Sequence, residues 1–217
     1  MALRKSVLVS ALGAGAGLLV LLGLGGKRSS GAVLPPLGGL PAGSRVLLIG
    51  DSFAVGLRAP LAALAASQNV PFEGHGVTST RVGQWTTTQT VDAPGQGAVT
   101  LDLAGYLARF RPTHVLISLG TNDAASGGTS AAAVQGVLSK IQAARAIPLW
   151  IGPPSLPFPD PNVRSTVKAT GVRYFPSEIL SIPRVSSDHL HPTGAGYSIW
   201  ANAIWQWMLS GHTYAAV

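Results

Sequence analysis

Apolar residues after residue 44 fall into short continuous runs that alternate with helical stripes. The short runs predict strands at 46–49, 70–75, 114–119, 147–151 and 172–175. Helical spacing predicts helices over about 56–66, over 99–110 (Leu103, Leu107, Phe110), over 130–144, and from Pro192 onward. The last of these has its apolar stripe at Ile199, Trp200, Ala203, Ile204, Trp207 and Met208. Such alternation predicts an α/β fold, a parallel sheet covered by helices on both faces.

The polar segments between these elements place candidate site residues at one edge of the predicted sheet. Ser52 follows the first strand, a polar turn at 76–81 follows the second, and Asn122 follows the third. Sites in open parallel sheets form at the carboxyl ends of the strands, so these side chains are expected to converge. The segment 155–161 contains too many prolines for a helix and is expected to be a loop.

The N-terminal segment 1–28 has the character of a targeting sequence. Arg4 and Lys5 precede a nearly uncharged run, Ser6–Gly26, that is close to the ~20 residues needed to span a bilayer. It is either a cleaved signal peptide or an uncleaved anchor, and its length favours an anchor that leaves the rest outside the cytoplasm. Residues 29–44 are rich in Pro and Gly and are expected to form a linker to a domain at 45–217.

Composition narrows the possible functions. The chain has 217 residues, enough for one domain, with 47% hydrophobic and 11% charged residues. Although the net charge is +7, part of it flanks the apolar N-terminal run, and the remaining basic residues form no cluster, which argues against nucleic-acid binding. The absence of cysteine excludes a thiolate metal site and a cysteine nucleophile. The histidines have no metal-ligand spacing, so we expect no metal.

Four of the polar residues suggest nucleophilic catalysis. Ser52 lies in a tight strand-to-helix turn, where it either caps the helix or acts as a nucleophile beside free backbone N–H groups. Asp188 lies three residues before His191 and could accept the Nδ1–H of that ring, leaving Nε2 to take a proton from serine. The neighbouring His189 is less well placed, because His191 directly precedes the predicted helix. Asn122 is either a turn residue or an amide donor to an oxyanion.

Four segments of the chain, taken together, resemble the conserved blocks of one enzyme family. They are Gly50-Asp51-Ser52, Gly76 with its polar turn, Gly120-Thr121-Asn122-Asp123 and Asp188-x-x-His191-Pro192. In this order they resemble the SGNH, or GDSL-type, hydrolases. The resemblance implies a three-layer α/β/α sandwich with a flavodoxin-like sheet. It also implies Ser52 as nucleophile, His191 as base and Asp188 as its orienting acid, with oxyanion donors from the Ser52 N–H, a second-block N–H and Asn122.

The same resemblance implies hydrolysis of esters without a cofactor. The substrates expected are esters of short acyl chains, including O-acetyl groups on carbohydrate or cell-wall polymers. The second block departs from the family's usual Gly-x-Ser-Gly, because Ser79 occupies the position of the second glycine. The donor is therefore either Gly76 or Ser79. The alternatives are an O-acyltransferase that uses the same site, and a non-catalytic carbohydrate-binding or surface-assembly protein.

Overall fold

A computed structural model describes residues 40–211 of the chain. The predicted targeting segment 1–28 and most of the predicted linker lie outside these residues. Within the described part, no helix has both the length and the apolar character needed to cross a membrane.

The core of the fold is a five-stranded parallel sheet. In chain order the strands are β1 (Val46–Gly50), β2 (Phe72–Gly76), β3 (Gln89–Ala93), β4 (Gly97–Leu101), β5 (His114–Ser118), β6 (Ile147–Ile151) and β7 (Arg173–Phe175). The sheet has the order β2-β1-β5-β6-β7, while β3 and β4 form a separate antiparallel hairpin. Without the hairpin this is the 2-1-3-4-5 order of the flavodoxin-like sheet, as expected.

Helices cover both faces of the sheet. They are α1 (Ser52–Ser67), α2 (Leu103–Phe110), α3 (Thr121–Ala124), α4 (Ala131–Ala143), α5 (Val163–Ala169) and α6 (Gly194–Leu209). Alternate residues of β1 point to opposite faces: Val46 and Leu48 pack with α1 and α6, and Leu47 and Ile49 pack with α2, α4 and α5. The result is the predicted three-layer α/β/α sandwich.

One predicted helix is wrong in its first half. Residues 97–101 form β4, which pairs with β3, and α2 begins only at Leu103. The Asp102 side chain caps α2 by accepting the Gly105 N–H. The apolar spacing of Leu103, Leu107 and Phe110 is confirmed, since all three side chains are buried. Val99 and Thr100 lie in the hairpin, where β-branched residues are favoured.

The predicted boundaries of two other helices shift, and two helices were not predicted. The last helix begins at Gly194 rather than Pro192, because Thr193 caps it and Pro192 pairs with Arg184 in an isolated bridge. Helix α1 begins at Ser52, four residues before the predicted start. Helix α5, which follows the proline-rich loop, and the short helix α3 were not predicted.

The tryptophan side chains pack in the core, and the buried face of the last helix differs from the predicted apolar stripe. The indoles of Trp200 and Trp207, which the predicted stripe includes, are buried, as are those of Trp85, Trp150 and Trp205. Ile199, placed in the apolar stripe, is instead 46% exposed, whereas Trp205, outside that stripe, is fully buried. Because α6 packs against α1 as well as the sheet, its buried face is wider than a single stripe and is rotated away from Ile199.

Candidate active site

Ser52 is the first residue of α1, immediately after the carboxyl end of β1. The turn requires glycine at position 50, since a Cβ there would lie 2.1 Å from the Ser118 carbonyl oxygen. Asp51 donates its N–H to that carbonyl at 3.0 Å, and its Oδ1 accepts the Phe53 N–H at 3.0 Å. Asp51 is therefore the helix cap, and Ser52 keeps the backbone N–H of a helix N-terminus, which has no partner within the helix.

The ring of His191 lies between Ser52 and Asp188. Its Nε2 is 2.9 Å from Ser52 Oγ, and its Nδ1 is 2.8 Å from Asp188 Oδ2. Asp188 Oδ1 also accepts the backbone N–H groups of Leu190 and His191 at 2.9 and 3.0 Å. The His191 side chain and then these N–H groups lower the pKa of Asp188 to about 2. An ionised Asp188 accepts a hydrogen bond from the Nδ1–H of His191, so Nε2 is left as an acceptor for the serine hydroxyl.

The loop that carries Asp188 and His191 is fixed by hydrogen bonds to the chain just before it. Val185 donates its N–H to the His191 carbonyl at 2.9 Å. The guanidinium of Arg184 donates to the Leu190 carbonyl, and also to the Ser155 carbonyl at 2.6 Å. Burial lowers the pKa of Arg184. Arg184 was not among the sequence candidates, because it lies in an irregular segment where no spacing marks it.

His191 and His189 differ in their surroundings. The Phe53 ring meets the His191 ring edge-on, with centroids 5.6 Å apart and planes at 74°. His189 is exposed and has a left-handed backbone, with φ of 53°. The structure brings His191 to hydrogen-bonding distance of Ser52, whereas His189 faces solvent.

Asn122 lies in α3, directly after the carboxyl end of β5. Its side-chain amide donates to the Thr80 carbonyl at 3.0 Å, which joins the third sequence block to the turn of the second. A carboxamide carries two N–H donors, and this bond uses one of them. A second link joins the same segments, because the Val82 N–H donates to Asp123 Oδ2 at 3.0 Å.

The two candidates in the second block have different surroundings. Gly76 is buried at the end of β2, and a Cβ there would lie 2.4 Å from the Val55 backbone nitrogen. Its carbonyl accepts from the Gln96 side chain at 3.0 Å, whereas the next residue, Val77, donates to the Gly50 carbonyl at 2.8 Å. Within a strand residue the N–H and C=O point the same way, so the Gly76 N–H faces away from β1. Ser79 is exposed in the turn and has a left-handed φ of 63°.

A buried carboxyl pair lies beneath the site. Burial, together with the charge of Asp123, raises the pKa of Asp51 to about 7. Burial also raises the pKa of Asp123. The Oδ2 atom of Asp51 is buried with no hydrogen-bond partner in the described part of the chain. Ionisation of either carboxyl is therefore less favourable in the folded protein than in the unfolded chain.

Two further observations concern binding. An apolar groove of about 430 Å³ lies between α3 and the proline-rich loop, lined by Ala124, Ala125, Phe158, Pro159 and Pro161. Among residues 40–211, no group of three His, Cys, Asp or Glu side chains is close enough to bind a metal ion.

The three-layer fold is that of the SGNH-type hydrolases. Residues 48–199 match the sequence model of the GDSL-like lipase/acylhydrolase family. The chain belongs to this family and is a carboxylic ester hydrolase, as the sequence predicted. A search of curated proteins found no match.

Solved structures share the fold at low sequence identity. The psychrotrophic esterase EstA from Pseudoalteromonas sp., inhibited by monoethylphosphonate, is 16% identical, with a TM-score of 0.54 over 75% of this chain and 94% of its own. A family 3 carbohydrate esterase from Talaromyces cellulolyticus is 15% identical, with a TM-score of 0.54 over 78% and 98%. A GDSL-like lipase from Bacteroides thetaiotaomicron is 17% identical, with a TM-score of 0.52 over 78% and 89%.

Proposed function

We propose that the protein hydrolyses carboxylic esters through Ser52, His191 and Asp188. The observation that carries the proposal is the continuous hydrogen-bonded series from Ser52 Oγ through the His191 ring to Asp188. Nucleophile, base and orienting acid stand in the order that serine catalysis requires. A serine that only capped the helix would not need this partner, and Asp51 already serves as the cap.

The first half-reaction forms an acyl-enzyme. His191 Nε2 takes the Ser52 proton as Oγ attacks the ester carbonyl carbon, and the carbonyl oxygen becomes an oxyanion. The C–O bond to the alcohol then breaks, and the proton on Nε2 passes to the leaving oxygen. In the second half, His191 takes a proton from water, the hydroxide attacks the acyl carbon, and the proton returns to Ser52 Oγ as the acid leaves.

The proposed oxyanion donors are the N–H of Ser52, the N–H of Ser79 and the side-chain amide of Asn122. Ser79 is favoured over Gly76 because the Gly76 N–H faces the outer edge of β2. The bond from Asn122 to the Thr80 carbonyl supports the proposal, since it holds the amide beside the Ser79 turn. Each such donor contributes about 3–4 kcal/mol to the stability of the transition state.

The proposed substrates are esters of small acyl groups, including O-acetylated carbohydrate. The carbohydrate esterase from Talaromyces cellulolyticus, which shares the fold, supports the second class. An O-acyltransferase would use the same residues, with a sugar hydroxyl in place of water. Product analysis in the presence of a sugar acceptor separates the two, because transfer yields an acylated sugar and hydrolysis yields free acid.

The test of the site uses p-nitrophenyl acetate and a fluorophosphonate probe with the full chain. We expect turnover by the wild type, none above background by Ser52→Ala or His191→Ala, and probe mass on Ser52. Ser67→Ala changes an exposed serine at the far end of α1, and His189→Asn changes the neighbouring histidine at a left-handed position that Asn tolerates. Both controls should remain active. Equal rates in all five proteins would reject the proposal in favour of a binding or assembly role.

We also propose that the domain acts outside the cytoplasm, attached to a membrane by residues 1–28. The support is the basic-flanked apolar run Ser6–Gly26. Intact mass of the protein recovered from a membrane fraction tests this: an uncleaved chain supports the anchor, and loss of about 30 residues supports a signal peptide.

A further inference from the structure

We propose that Gln96, at the tip of the β3–β4 hairpin, is a positioning residue that holds the Ser79 N–H in place for the oxyanion. The inference rests on the proposed ester hydrolysis and on the Ser79 N–H as one of its donors. It gives a role to the hairpin, which the flavodoxin-like strand order does not include.

The carboxamide of Gln96 binds two backbone groups of the turn that precedes Ser79. Its Oε1 accepts the Thr78 N–H at 2.8 Å, and its Nε2 donates to the Gly76 carbonyl at 3.0 Å. The Thr78 hydroxyl adds a third bond between the same two segments, to the Pro94 carbonyl at 2.7 Å. Because the Thr78 carbonyl and the Ser79 N–H belong to one peptide group, these bonds restrain the direction of that N–H.

The turn is also held on the other side of Ser79. Asn122 donates to the Thr80 carbonyl, and the Thr80 hydroxyl donates to the Val77 carbonyl at 2.8 Å. Ser79 has a left-handed backbone, with φ of 63°, a conformation that is unfavourable for a residue with a Cβ. Such a conformation persists only where surrounding bonds hold it, and the bonds from Gln96 are among those that do so here.

The hairpin offers Gln96 a well-packed support. Ala93 and Leu101 are buried in the apolar cluster on the face of α2, α4 and α5. The Gln96 N–H donates to the Ala93 carbonyl at 2.8 Å and closes a turn around Pro94 and Gly95, where Gly95 has a left-handed φ of 76°. The side chain of Gln96 therefore extends to the Ser79 turn from a backbone that the core and this turn hold in place.

Kinetics of the full-length protein with p-nitrophenyl acetate test this role. Gln96→Met keeps the length of the side chain and removes both of its hydrogen bonds. The oxyanion forms only on the way to the transition state, so a displaced donor should lower kcat and leave KM within about twofold. We expect kcat to fall about 10–10²-fold, since a displacement of about 1 Å can cost about 10²-fold. Thr78→Val, which removes only the bond to the Pro94 carbonyl, should lower kcat less.

The matched control is Gln89→Met in the same hairpin. The Gln89 amide also makes two hydrogen bonds, to the Gln84 carbonyl at 2.7 Å and to the Thr87 hydroxyl at 3.1 Å. Gln89 is the first residue of β3, at the opposite end of that strand from the hairpin tip. The control should therefore keep the wild-type kcat, and urea midpoints of the two variants show whether their losses of stability are similar.

Inhibition by trifluoroacetone provides a readout that a loss of stability alone does not change. Ser52 Oγ adds to the ketone carbon, its proton passes to His191 Nε2, and the ketone oxygen becomes an oxyanion held by the same donors. The inhibition constant should rise in Gln96→Met by the same factor by which kcat/KM falls, and it should be unchanged in Gln89→Met.

Three outcomes overturn the positioning role while leaving the esterase intact. They are a kcat for Gln96→Met within about threefold of the wild type, equal losses in Gln96→Met and Gln89→Met, and an unchanged inhibition constant in Gln96→Met. A wild type that hydrolyses no ester and takes no fluorophosphonate on Ser52 instead rejects the proposed function, and the role of Gln96 with it.

Discussion

Phe53 and His191 meet edge to plane, and this contact ties the reactive ring to the packing of two helices. On its other side Phe53 contacts the buried Trp200 of α6 at a centroid distance of 5.4 Å. The position of the ring therefore depends on how α6 packs against α1. The distance of 2.9 Å between His191 Nε2 and Ser52 Oγ therefore depends on the packing of Phe53 and Trp200 as well as on the loop that carries His191.

Asp188→Asn should decrease kcat strongly while leaving the loop folded. An amide oxygen can still accept the backbone N–H groups of Leu190 and His191, but it no longer selects the Nδ1–H tautomer. In serine hydrolases this change lowers kcat about 10⁴-fold. Steady-state kinetics with p-nitrophenyl acetate provide the measurement, and circular dichroism checks the fold. A loss of less than tenfold would mean that Asp188 does not orient the ring.

Because the pKa of Asp188 is lowered, protonation of this carboxyl should not contribute to any loss of activity between pH 5 and 7. The folded pKa of about 2 lies below the ordinary 3.8, so the carboxylate is ionised in the folded protein from neutral pH down to about 2. Any stabilisation it provides is present above pH 3.8 and disappears as the pH falls toward 2. Activity lost between pH 5 and 7 in the pH profile of kcat/KM should thus come from a group other than Asp188, since that carboxylate stays ionised throughout the range.

Asn122→Ala should reduce kcat about 10²–10³-fold, the cost of one oxyanion donor. It also removes the bond to the Thr80 carbonyl, which contributes about 1 kcal/mol to folding. Asn202→Ala is the matched control, because Asn202 also donates from its amide to a backbone carbonyl, on the exposed side of α6. Similar kinetic losses in both variants would mean that Asn122 acts through stability alone. Urea unfolding of the two separates the effects.

Sequence periodicity predicted the five sheet strands and most helices because each buries a regular apolar pattern. It failed at 97–101, where a five-residue strand runs into the start of α2 and its apolar residues fit helical spacing by chance. The first turn of α1 was missed for a related reason, since Asp51 and Ser52 are polar and the helix is determined there by the cap.

The catalytic contacts could be predicted in part. The Asp-x-x-His spacing is local, and the structure forms the hydrogen bond that this spacing allows. The role of Arg184 could not be predicted, since its partners, the Leu190 and Ser155 carbonyls, are backbone atoms that any residue supplies. Nor could sequence decide between Gly76 and Ser79, because that depends on which side of β2 each N–H faces.

Asp51 should make the protein less stable as the pH rises. Its pKa is raised from 3.8 in the unfolded chain to about 7 in the fold, so the folded state holds one more proton between these values. Stability is then full below pH 3.8, decreases as the pH rises toward 7, and is constant above it. The raised pKa of Asp123 acts in the same direction. The expected loss from Asp51 is on the order of a few kcal/mol.

Asp51→Asn tests this dependence, because Asn is also a good cap and cannot ionise. Urea unfolding of both proteins at pH 5, 6, 7 and 8 gives the free energies. The free energy of unfolding of the wild type, minus that of Asp51→Asn, should decrease as the pH increases from 5 to 8. A constant difference across this range would show that Asp51 does not titrate there.

Arg184→Met should decrease kcat about tenfold or more, with a smaller effect on KM. The variant removes donors from the Leu190 and Ser155 carbonyls, so the loop that holds Asp188 and His191 loses its link to the proline-rich loop. Arg184→Lys keeps the charge and one donor and should recover part of kcat. If the Met and Lys variants both keep the wild-type kcat and differ from it only in the urea midpoint, Arg184 stabilises the fold without positioning His191.

Substitutions at Ser79 and Gly76, the two candidate positions of the second sequence block, should have opposite effects on stability. Ser79 has a left-handed φ of 63°, where glycine is unstrained, so Ser79→Gly should keep activity and raise stability by up to about 1 kcal/mol. Gly76→Ala places a Cβ 2.4 Å from the Val55 nitrogen, within the first turns of α1, and should destabilise the protein. Activity of Ser79→Gly with p-nitrophenyl acetate is the decisive measurement, because it preserves the N–H proposed to bind the oxyanion. A loss of 10²-fold in that variant would show that the serine side chain itself is required, which the proposed backbone donor does not explain.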